Sequence, residues 1–219
     1  DALPISERVP LIPRGSGSSM GGGAVGDGVI VDLSRLGDRS PVDSTRRTIW
    51  AGAGVLRRDV EHAAGAHGLR FPVDPSSGTF ATIGGMAASN AAGPRTLAFG
   101  AMRRWVESLD CVFADGSQAT IRRGAPVPEG IPALDRWRAV EREVRTAARS
   151  LPAPRVRKES SGYGVHDFAT SGELVDLLVG SEGTLALFTG MELRLTDVPK
   201  ATASVLVAWP SLDLAVVGA

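Results

Sequence analysis

The sequence has little of several residue types on which common functional sites depend. Its single cysteine, Cys111, excludes an internal disulfide, and its place in the apolar run 109–113 predicts a buried, inert thiol. There are three histidines and no cluster of Cys, His and carboxylate residues, so no metal site is predicted. Basic and acidic residues number 24 each, so nothing favours nucleic acid or an acidic membrane surface as a partner.

The chain also lacks a signal peptide and any apolar segment of membrane length. We therefore expect a reducing compartment and a cytoplasmic location, with attachment at the membrane periphery as the alternative. Its 219 residues are 43% hydrophobic, which is enough for a packed core in one large domain or two small ones. Because the sequence starts at Asp1 and stops within a helix-like segment at 211–215, we expect a fragment of a longer chain.

Glycine is plentiful and is concentrated near the start of the chain. Residues 13–24 read Pro-Arg-Gly-Ser-Gly-Ser-Ser-Met-Gly-Gly-Gly-Ala, with five glycines and three serines in twelve residues. Without a Cβ in the way, consecutive backbone N–H groups can turn toward one point and bind a phosphate through main-chain dipoles. We interpret this segment, which we call the glycine loop, as an anion cradle, with a flexible surface loop as the alternative.

Three familiar glycine motifs do not fit the context of the glycine loop. A Walker loop requires a lysine after its glycines, and the first lysine here is Lys158. A Rossmann fingerprint requires a helix directly after the glycines, whereas 21–28 is too rich in glycine for a helix and 29–31 resembles a strand. Residues 17–21 match the G-x-S-x-G pattern of serine hydrolases, which also requires a following helix.

A second segment of small residues lies between 71 and 93. Pro72 and Pro75 bracket Asp74 and predict an extended segment and a turn, after which Thr82 can cap a short helix. The residues of that helix are small enough for close approach by another element or by a flat ligand. Asn90 at its end either stops the helix or offers its amide to a polar ring edge, and the sequence leaves both interpretations open.

The rest of the chain alternates between strand and helix patterns. Strands are predicted over 9–12, 28–33, 49–54, 105–113, 118–122 and 185–195, with a hairpin turn at 114–117. Helices are predicted over 55–66, over 137–150 and, capped by Ser171, up to Leu178. A second glycine turn with a carboxylate, at 180–184, stands at the entrance of the last strand.

Six short motifs follow one another along the chain. They are Pro-Arg-Gly-Ser-Gly-Ser-Ser at 13–19, Asp-Pro-Ser-Ser at 74–77, Thr-Ile-Gly-Gly-Met at 82–86, Ser-Asn-Ala-Ala-Gly at 89–93, Ser-Ser-Gly-Tyr at 160–163 and Gly-Ser-Glu-Gly-Thr-Leu at 180–185. In this order they resemble the FAD-binding domain of the FAD-linked oxidases, the vanillyl-alcohol oxidase and para-cresol methylhydroxylase (PCMH) superfamily. The sequence is most similar to the flavoprotein branch with D-lactate dehydrogenase and glycolate oxidase, which includes forms fused to an iron–sulfur domain.

The resemblance, which covers residues 9–209, implies a PCMH-type α+β fold of two subdomains with FAD between them. We expect the first subdomain at 1–98, the second at 99–197, and the start of a substrate-binding cap domain at 198–219. Within the last segment, 201–209 is similar to the first strand of the cap. The resemblance also implies that the fold is truncated at both ends.

The resemblance further implies which residues bind FAD. The backbone of 14–19 would hold the pyrophosphate, 74–77 and 83–90 would line the flavin and ribityl side, and 182–188 would meet the adenine side. The implied cofactor-binding residues are Pro13, Arg14, Gly15, Ser16, Gly17, Ser18, Ser19, Asp74, Pro75, Ser76, Ser77, Ile83, Gly84, Gly85, Met86, Ala88, Ser89, Asn90, Glu182, Gly183, Thr184, Leu187 and Phe188.

Departures from the family pattern bear on how the flavin is attached. Family members with a covalent flavin often carry histidine in the glycine loop, where this chain has Ser18 and Ser19, so noncovalent FAD is expected.

No catalytic residue is predicted, because the family's catalytic groups come largely from the cap domain. Lys158 and Tyr163 are candidate neighbours of the flavin, with a surface salt bridge and a packed tyrosine as the alternatives.

The activity implied by the resemblance is oxidation of a 2-hydroxy acid of the D-lactate or glycolate type to the 2-oxo acid. Reduced FAD would pass its electrons to an acceptor such as a quinone, a cytochrome or an iron–sulfur domain, and the fragment alone is expected to be inactive. Two alternatives are a noncatalytic flavin-binding or electron-transfer subunit and a sugar or lactone oxidase on the same fold.

Overall fold

The structure is a computed structural model that describes residues 9–152, 156 and 158–218. Residues 1–8 of the first predicted subdomain and residue 219 of the predicted cap segment therefore lie outside the described residues. The strands are β1 (Leu11–Arg14), β2 (Val29–Asp32), β3 (Thr48–Gly52), β4 (Leu69–Arg70), β5 (Val106–Val112), β6 (Gln118–Arg122), β7 (Leu187–Arg194) and β8 (Thr196–Asp197). The α-helices are α1 (Arg57–Gly65), α2 (Ile83–Ala88), α3 (Thr96–Phe99), α4 (Pro132–Ser150), α5 (Val165–Ser171), α6 (Leu174–Leu178) and α7 (Leu212–Gly218), and a 3₁₀ turn covers Met102–Trp105.

A four-stranded antiparallel sheet in the order β3–β7–β5–β6 forms the centre of the fold. The turn between β5 and β6 is held by Asp115, whose carboxylate accepts bonds from the hydroxyl and the backbone N–H of Ser117. These bonds lower the pKa of Asp115 to about 2. Because β3 pairs with β7, segments from both predicted subdomains share this sheet, and the division after residue 98 stays a prediction.

The hydrophobic core lies on one face of the sheet. Helices α2 and α6 pack on the strands, and α5 packs between α6 and α4. Leu109 of β5, Met191 of β7 and Phe168 of α5 are fully buried, and Trp137 of α4 meets the Phe168 ring at a centroid distance of 5.3 Å. Cys111 lies in the same core, and burial raises the pKa of its thiol, as expected for an inert cysteine. Burial of this apolar surface is the main source of stability.

The opposite face of the sheet carries a buried carboxylate. The Glu192 carboxylate of β7 accepts a hydrogen bond from the Thr48 hydroxyl at 3.0 Å and one from the Arg122 guanidinium at 2.5 Å, and it lies 3.0 Å from the Arg46 guanidinium. Burial alone would raise the pKa of Glu192, but the bonds from Arg122 and Thr48 and the charges of both arginines outweigh it, so the pKa lies below its ordinary value.

Strands β1 and β2 form a separate parallel pair in which Leu11 lies opposite Val29 and Arg14 lies opposite Asp32. Parallel strands need a crossover of about a dozen residues or more, and a helix usually provides it. Here the crossover is residues 15–28, which contain most of the glycine loop and no helix. The glycine loop is therefore fixed at both ends by paired strands.

Most of the predicted elements are present, with ends shifted by one or two residues. Helix α4 begins at Pro132 rather than at Trp137, because proline suits the first turn of a helix. The predicted cap by Ser171 is wrong: this residue ends α5, and its hydroxyl donates to the Asp176 carboxylate and accepts from the Glu173 N–H. Residues 201–209 are exposed and form no strand.

Candidate cofactor-binding cleft

A cleft opens between the glycine loop, helix α2 and residues 180–184, which we call the cleft turn. Its volume is about 270 Å³. Clefts that bind cofactors and other small molecules typically measure roughly 300–1,000 Å³. The cleft is therefore close to the small end of this range, and its lining rather than its volume indicates what it binds.

The glycine loop lies directly on the start of helix α2. A Cβ atom on Gly15 would be 2.1 Å from the Thr82 hydroxyl oxygen, so only glycine allows this approach. Gly17 has a left-handed backbone with φ +69°, and the Arg14 guanidinium lies beside it. None of the backbone N–H groups of residues 15–19 donates to another described residue. These donors are available to a bound anion.

Helix α2 presents two different faces. Its first turn is capped by the Thr82 hydroxyl, which accepts from the Gly85 N–H at 3.3 Å. Gly84 is buried, and a Cβ there would lie 2.6 Å from the Cβ of Ala53. Gly85 and Ser89 are exposed and line the cleft, with the Ser89 hydroxyl donating to the Gly85 carbonyl at 2.9 Å. The buried face of α2 therefore packs on Ala53, directly after strand β3, and the exposed face leaves room for a ligand.

The cleft turn closes the cleft at the other end of helix α2. The Glu182 N–H donates to the Ala88 carbonyl at 3.0 Å, which fixes the turn on the last residue of the helix. Gly183 lies so close to the glycine loop that a Cβ on it would be 2.8 Å from Cγ of Pro13. Glu182 adopts φ +50°, a left-handed conformation that costs energy in any residue other than glycine. The side chain at this strained position lines the cleft.

A buried arginine supports the cleft from behind. The Arg103 side chain donates to the carbonyls of Asp176 and Val179, each at 2.8 Å, and to the Asp167 carboxylate at 2.9 Å. Its backbone N–H donates to the Asn90 side-chain oxygen at 2.9 Å. Arg103 thus connects the end of α2 with the end of α6, from which the cleft turn starts.

The charge of the cleft is low and uneven. Among its described lining residues, Glu182 is the one ionisable side chain, and its carboxylate lies 3.9 Å from where a Cβ on Gly23 would be. The glycine loop carries one positive charge of its own, the Arg14 guanidinium, which lies beside Gly17. Within the described ranges no group of three or more His, Cys, Asp or Glu residues could hold a metal ion. What the described lining offers to an anion is therefore uncharged backbone donors rather than a positive side chain.

Comparison with protein families agrees with this geometry. A family model described as an FAD binding domain matches residues 5–122, more than half of the chain. The chain belongs to this family. The resemblance inferred from the six motifs is thereby confirmed, and so is the α+β class with FAD as the cofactor of the domain.

Named relatives align with nearly all of this FAD-binding domain. The D-lactate dehydrogenase of Archaeoglobus fulgidus is 32% identical over 207 residues, which are 94% of this chain and 37% of that protein. The glycolate oxidase subunit GlcD of Bacillus subtilis is 29% identical, with 95% of this chain and 36% of that protein covered. The D-2-hydroxyglutarate dehydrogenase of Xanthomonas citri has the same values of 29%, 95% and 36%. The chain thus spans little more than a third of these relatives.

Solved structures confirm the fold. An alkyldihydroxyacetonephosphate synthase superimposes with a TM-score of 0.61 at 22% identity, covering 91% of this chain and 29% of that one. The 6-hydroxy-D-nicotine oxidase of Arthrobacter nicotinovorans gives a TM-score of 0.59 at 18% identity, covering 90% of this chain and 33% of that one. In the described part of the FAD-binding domain, no helix has the length and hydrophobicity needed to cross a bilayer.

The residues of the cleft fit FAD. A diphosphate needs several donors at one point without bulky side chains. The backbone N–H groups of residues 15–19 have no acceptor among the described residues, and Gly15 and Gly17 keep this segment free of side chains at two positions. A flat ring system needs an open surface, and the exposed Gly85 leaves one on helix α2. For the remaining polar atoms the lining offers the Ser77 hydroxyl as a donor and the Ser89 hydroxyl, whose proton goes to the Gly85 carbonyl, as an acceptor.

The structure brings most of the predicted site residues of the FAD-binding domain together. Those that line the cleft are Pro13, Gly15, Ser16, Gly17, Ser18, Ser19, Pro75, Ser77, Gly84, Gly85, Met86, Ala88, Ser89, Glu182, Gly183 and Phe188. Those outside its lining are Arg14, Asp74, Ser76, Ile83, Asn90, Thr184 and Leu187. Direct contact of either group with the cofactor stays a prediction.

Residues outside the lining have other partners. The Asp74 carboxylate lies 3.5 Å from the Arg57 guanidinium and 3.8 Å from that of Arg95. Asn90 is buried at φ +46° after the end of α2, so its role as a helix stop is clear. Ile83 is fully buried in the core. These side chains shape the cleft by holding its walls.

Three further lining residues fall inside predicted ranges, namely Gly23 and Ala24 in the glycine loop and Ala186 within 182–188. Sequence reasoning missed Leu33, Ala81, Thr82, Ala91 and Ala92 as lining residues. Leu33 follows the end of β2 and the other four lie in or beside the motifs at 82–86 and 89–93, so their position next to these elements was the available signal. Thr82 was predicted as a helix cap, and the structure shows that its side chain also lies between α2 and the glycine loop.

Proposed function

We propose that this chain is the noncovalent FAD-binding domain of an enzyme that oxidises a 2-hydroxy acid to the 2-oxo acid. The observation that carries the binding part is the glycine loop, whose N–H groups at 15–19 have no acceptor among the described residues and border the cleft. The activity part rests on relatives named D-lactate dehydrogenase, glycolate oxidase subunit and D-2-hydroxyglutarate dehydrogenase. All three names denote proteins that handle 2-hydroxy acids.

The residues of the cleft divide the work of holding FAD. The backbone of 15–19 would bind the pyrophosphate, and the open surface at Gly85 would accept the ring system. The carboxylate of Glu182 can only accept hydrogen bonds when ionised, so it would pair with hydroxyl or amino donors of the nucleotide rather than with its phosphates. When bound, FAD supplies a two-electron acceptor for the hydride of the substrate, and the protein binds and orients it.

The lining of the cleft supports noncovalent attachment. A covalent bond to flavin needs a nucleophilic side chain, and the described lining contains no cysteine, histidine or tyrosine. Cys111 is buried in the core with its pKa raised, so its thiol stays protonated and out of reach. Ser18 and Ser19 stand where family members with a covalent flavin often carry histidine. FAD would therefore be held by contacts alone.

The absorption spectrum tests the binding part. The purified chain is mixed with FAD, separated from free cofactor by gel filtration, and its visible spectrum is recorded before and after acid precipitation. We expect a flavin spectrum that moves completely to the supernatant. Colour that stays with the pellet would refute noncovalent attachment, and a folded chain that elutes without flavin would refute the assignment of the cleft.

The substrate is tested on the full-length gene product that contains this chain. We expect D-lactate, glycolate or D-2-hydroxyglutarate to bleach the flavin without oxygen, and an artificial electron acceptor to restore it. L-Lactate serves as the stereochemical control. Bleaching by sugars or lactones instead would establish the sugar or lactone oxidase alternative.

A noncatalytic flavin-binding or electron-transfer subunit is the second candidate. The observation that favours it is the lack, in the described lining, of any titratable group other than Glu182 that could take a proton from a substrate. In that case the holoprotein would exchange electrons with a reduced partner and remain unbleached by every hydroxy acid. For either candidate function, we propose that reduced FAD passes its electrons to a quinone, a cytochrome or an iron–sulfur domain. The proposed location is the cytoplasm, with attachment at the membrane periphery as the alternative.

A further inference from the structure

We propose that Tyr163 is a positioning residue for the cofactor cleft, acting through a hydrogen bond that holds the cleft turn in its binding conformation. The proposal rests on the noncovalent FAD binding proposed above and adds a residue outside the cleft lining to it. Tyr163 is the only tyrosine of the chain. Its hydroxyl lies 2.6 Å from the Thr184 hydroxyl, at the end of the cleft turn.

The direction of this hydrogen bond follows from the partner of Thr184. The Thr184 hydroxyl donates its one proton to the Ser181 carbonyl at 2.6 Å. Since a threonine hydroxyl has a single O–H, it must accept from the Tyr163 hydroxyl. The phenol therefore donates into a chain that runs from Tyr163 through Thr184 to the backbone of Ser181. This chain crosses the cleft turn from one end to the other.

The cleft turn needs such support because its backbone is strained at Glu182, which has φ +50°. Gly180 and Gly183 on either side have φ of +93° and +84°, which glycine adopts without strain. A left-handed glutamate persists only where the surroundings hold it. Glu182 and Gly183 both line the cleft, so a turn that relaxed would move two residues of the binding surface.

The segment before Tyr163 is itself anchored beside the cleft turn. The side-chain amide of Asn90 donates to the Ser160 carbonyl at 3.4 Å. The Gly162 carbonyl lies 2.7 Å from where a Cβ on Gly180 would be, so the two backbones are in direct contact. Residues 160–163, which we call the strap, thus run across the cleft turn, and Tyr163 fastens them to it.

Exposure separates this role from that of an ordinary core residue. Tyr163 is 47% exposed, so its ring contributes little to the core. Removing only the hydroxyl, in Tyr163→Phe, would leave the strap and the core packing in place. The loss should then be felt in cofactor binding more than in the stability of the cofactor-free protein.

The test is a double-mutant cycle on FAD affinity in the chain described above. Tyr163→Phe should weaken FAD binding about 3- to 10-fold, the usual net effect of one hydrogen bond. Thr184→Val should weaken it at least as much, because it also removes the bond to Ser181. The double variant should be no weaker than Thr184→Val alone, because the two changes remove the same hydrogen bond. Ser161→Ala is the matched control, since among the described residues that strap hydroxyl bonds to Glu159 alone, and its loss should leave affinity unchanged.

Two readouts make the outcome decisive. The thermal unfolding midpoint of cofactor-free Tyr163→Phe should stay within about 2 °C of the parent, since water replaces the partner of a half-exposed hydroxyl. A ¹³Cζ-tyrosine label gives one resonance, because the chain has one tyrosine, and this resonance should move in Thr184→Val but not in Ser161→Ala. FAD affinities of Tyr163→Phe within twofold of the parent, or additive effects in the cycle, would overturn the proposal. A parent chain that fails to bind FAD at all would instead overturn the proposed function.

Discussion

Two adjacent glycines of helix α2 should separate stability from cofactor binding. Gly84 lines the cleft with its backbone, but a Cβ on it would point into the core, 2.6 Å from the Cβ and 2.9 Å from the carbonyl oxygen of Ala53. Both neighbours belong to the backbone or to a rigid methyl group, so the helix must move. We assign Gly84→Ala the upper end of overpacking costs, about 3 kcal/mol. The better helix propensity of alanine offsets about 1 kcal/mol, which leaves a net loss of about 2 kcal/mol.

Gly85 faces the cleft instead. A Cβ there meets only the Thr82 hydroxyl oxygen, at 3.1 Å, so a small shift of that side chain makes room. The gain of about 1 kcal/mol in helix propensity roughly balances a weakened cap, and stability should stay within about 1 kcal/mol. The methyl group would occupy space that the ligand needs. An overpacking cost of about 1–3 kcal/mol, taken at 1.4 kcal/mol per factor of ten, weakens FAD binding about 5- to 150-fold.

The assay measures both quantities on each variant. Urea unfolding of the cofactor-free protein gives the free energy of unfolding, and titration with FAD gives the dissociation constant. Gly37→Ala is the matched control, because a Cβ at Gly37 has no heavy atom within 4 Å and the residue does not line the cleft. The reasoning fails if Gly84→Ala is as stable as the parent, or if Gly85→Ala binds FAD as tightly as Gly37→Ala does.

Other substitutions test the walls of the cleft and the central sheet. Gly15→Ala should displace the Thr82 side chain, which lies 2.1 Å from the new Cβ, and thermal unfolding and FAD titration should show a loss of about 1 kcal/mol in stability together with weaker binding. Arg103→Met would leave two backbone carbonyls and a carboxylate without their donor, and we expect urea unfolding to show a loss of about 3–5 kcal/mol. The pKa of Glu192 is lower in the folded than in the unfolded state, so its contribution is complete above the unfolded pKa of roughly 4.3 and is lost as the pH falls through the folded pKa. Urea unfolding in a pH series should show this acid loss in the parent, and Glu192→Gln should flatten it.

Local signals in the sequence predicted much of the fold. Alternating apolar residues and the Asp-Gly-Ser turn located β5, the hairpin and β6, because a hairpin depends on neighbouring residues alone. The two-residue strands β4 and β8 escaped prediction, since they form only when Leu69 meets Asp197 from the far end of the chain. The cap assigned to Ser171 failed for a similar reason. Its hydroxyl bonds to Asp176, and that carboxylate is held by the Arg123 guanidinium from another element.

The direction of polar side chains was the least predictable part of the site. Contact of Asp74 with the cofactor stays a prediction from its motif, whereas the position of its carboxylate near Arg57 and Arg95 was not predicted. Neither arginine belongs to the motif, and the partners of a carboxylate are set by what the fold brings near it. Asn90 was left open between ligand contact and helix stop, and its left-handed backbone and buried amide favour the stop.

The glycines explain why motif order identified the fold better than it identified contacts. Gly15 approaches Thr82, Gly183 approaches Pro13, and in each pair a side chain on the glycine would collide with the other motif. These glycines therefore join the walls of the cleft to one another, whether or not they also touch a ligand. Where a motif joins two walls of the cleft, close packing requires small residues at the contact. The polar residues beside that contact are not constrained by it. Matches to such motifs report first on the shape of the cleft, so a substitution tests binding most directly at positions such as Gly85, where the new atom enters the cleft and meets only the Thr82 hydroxyl.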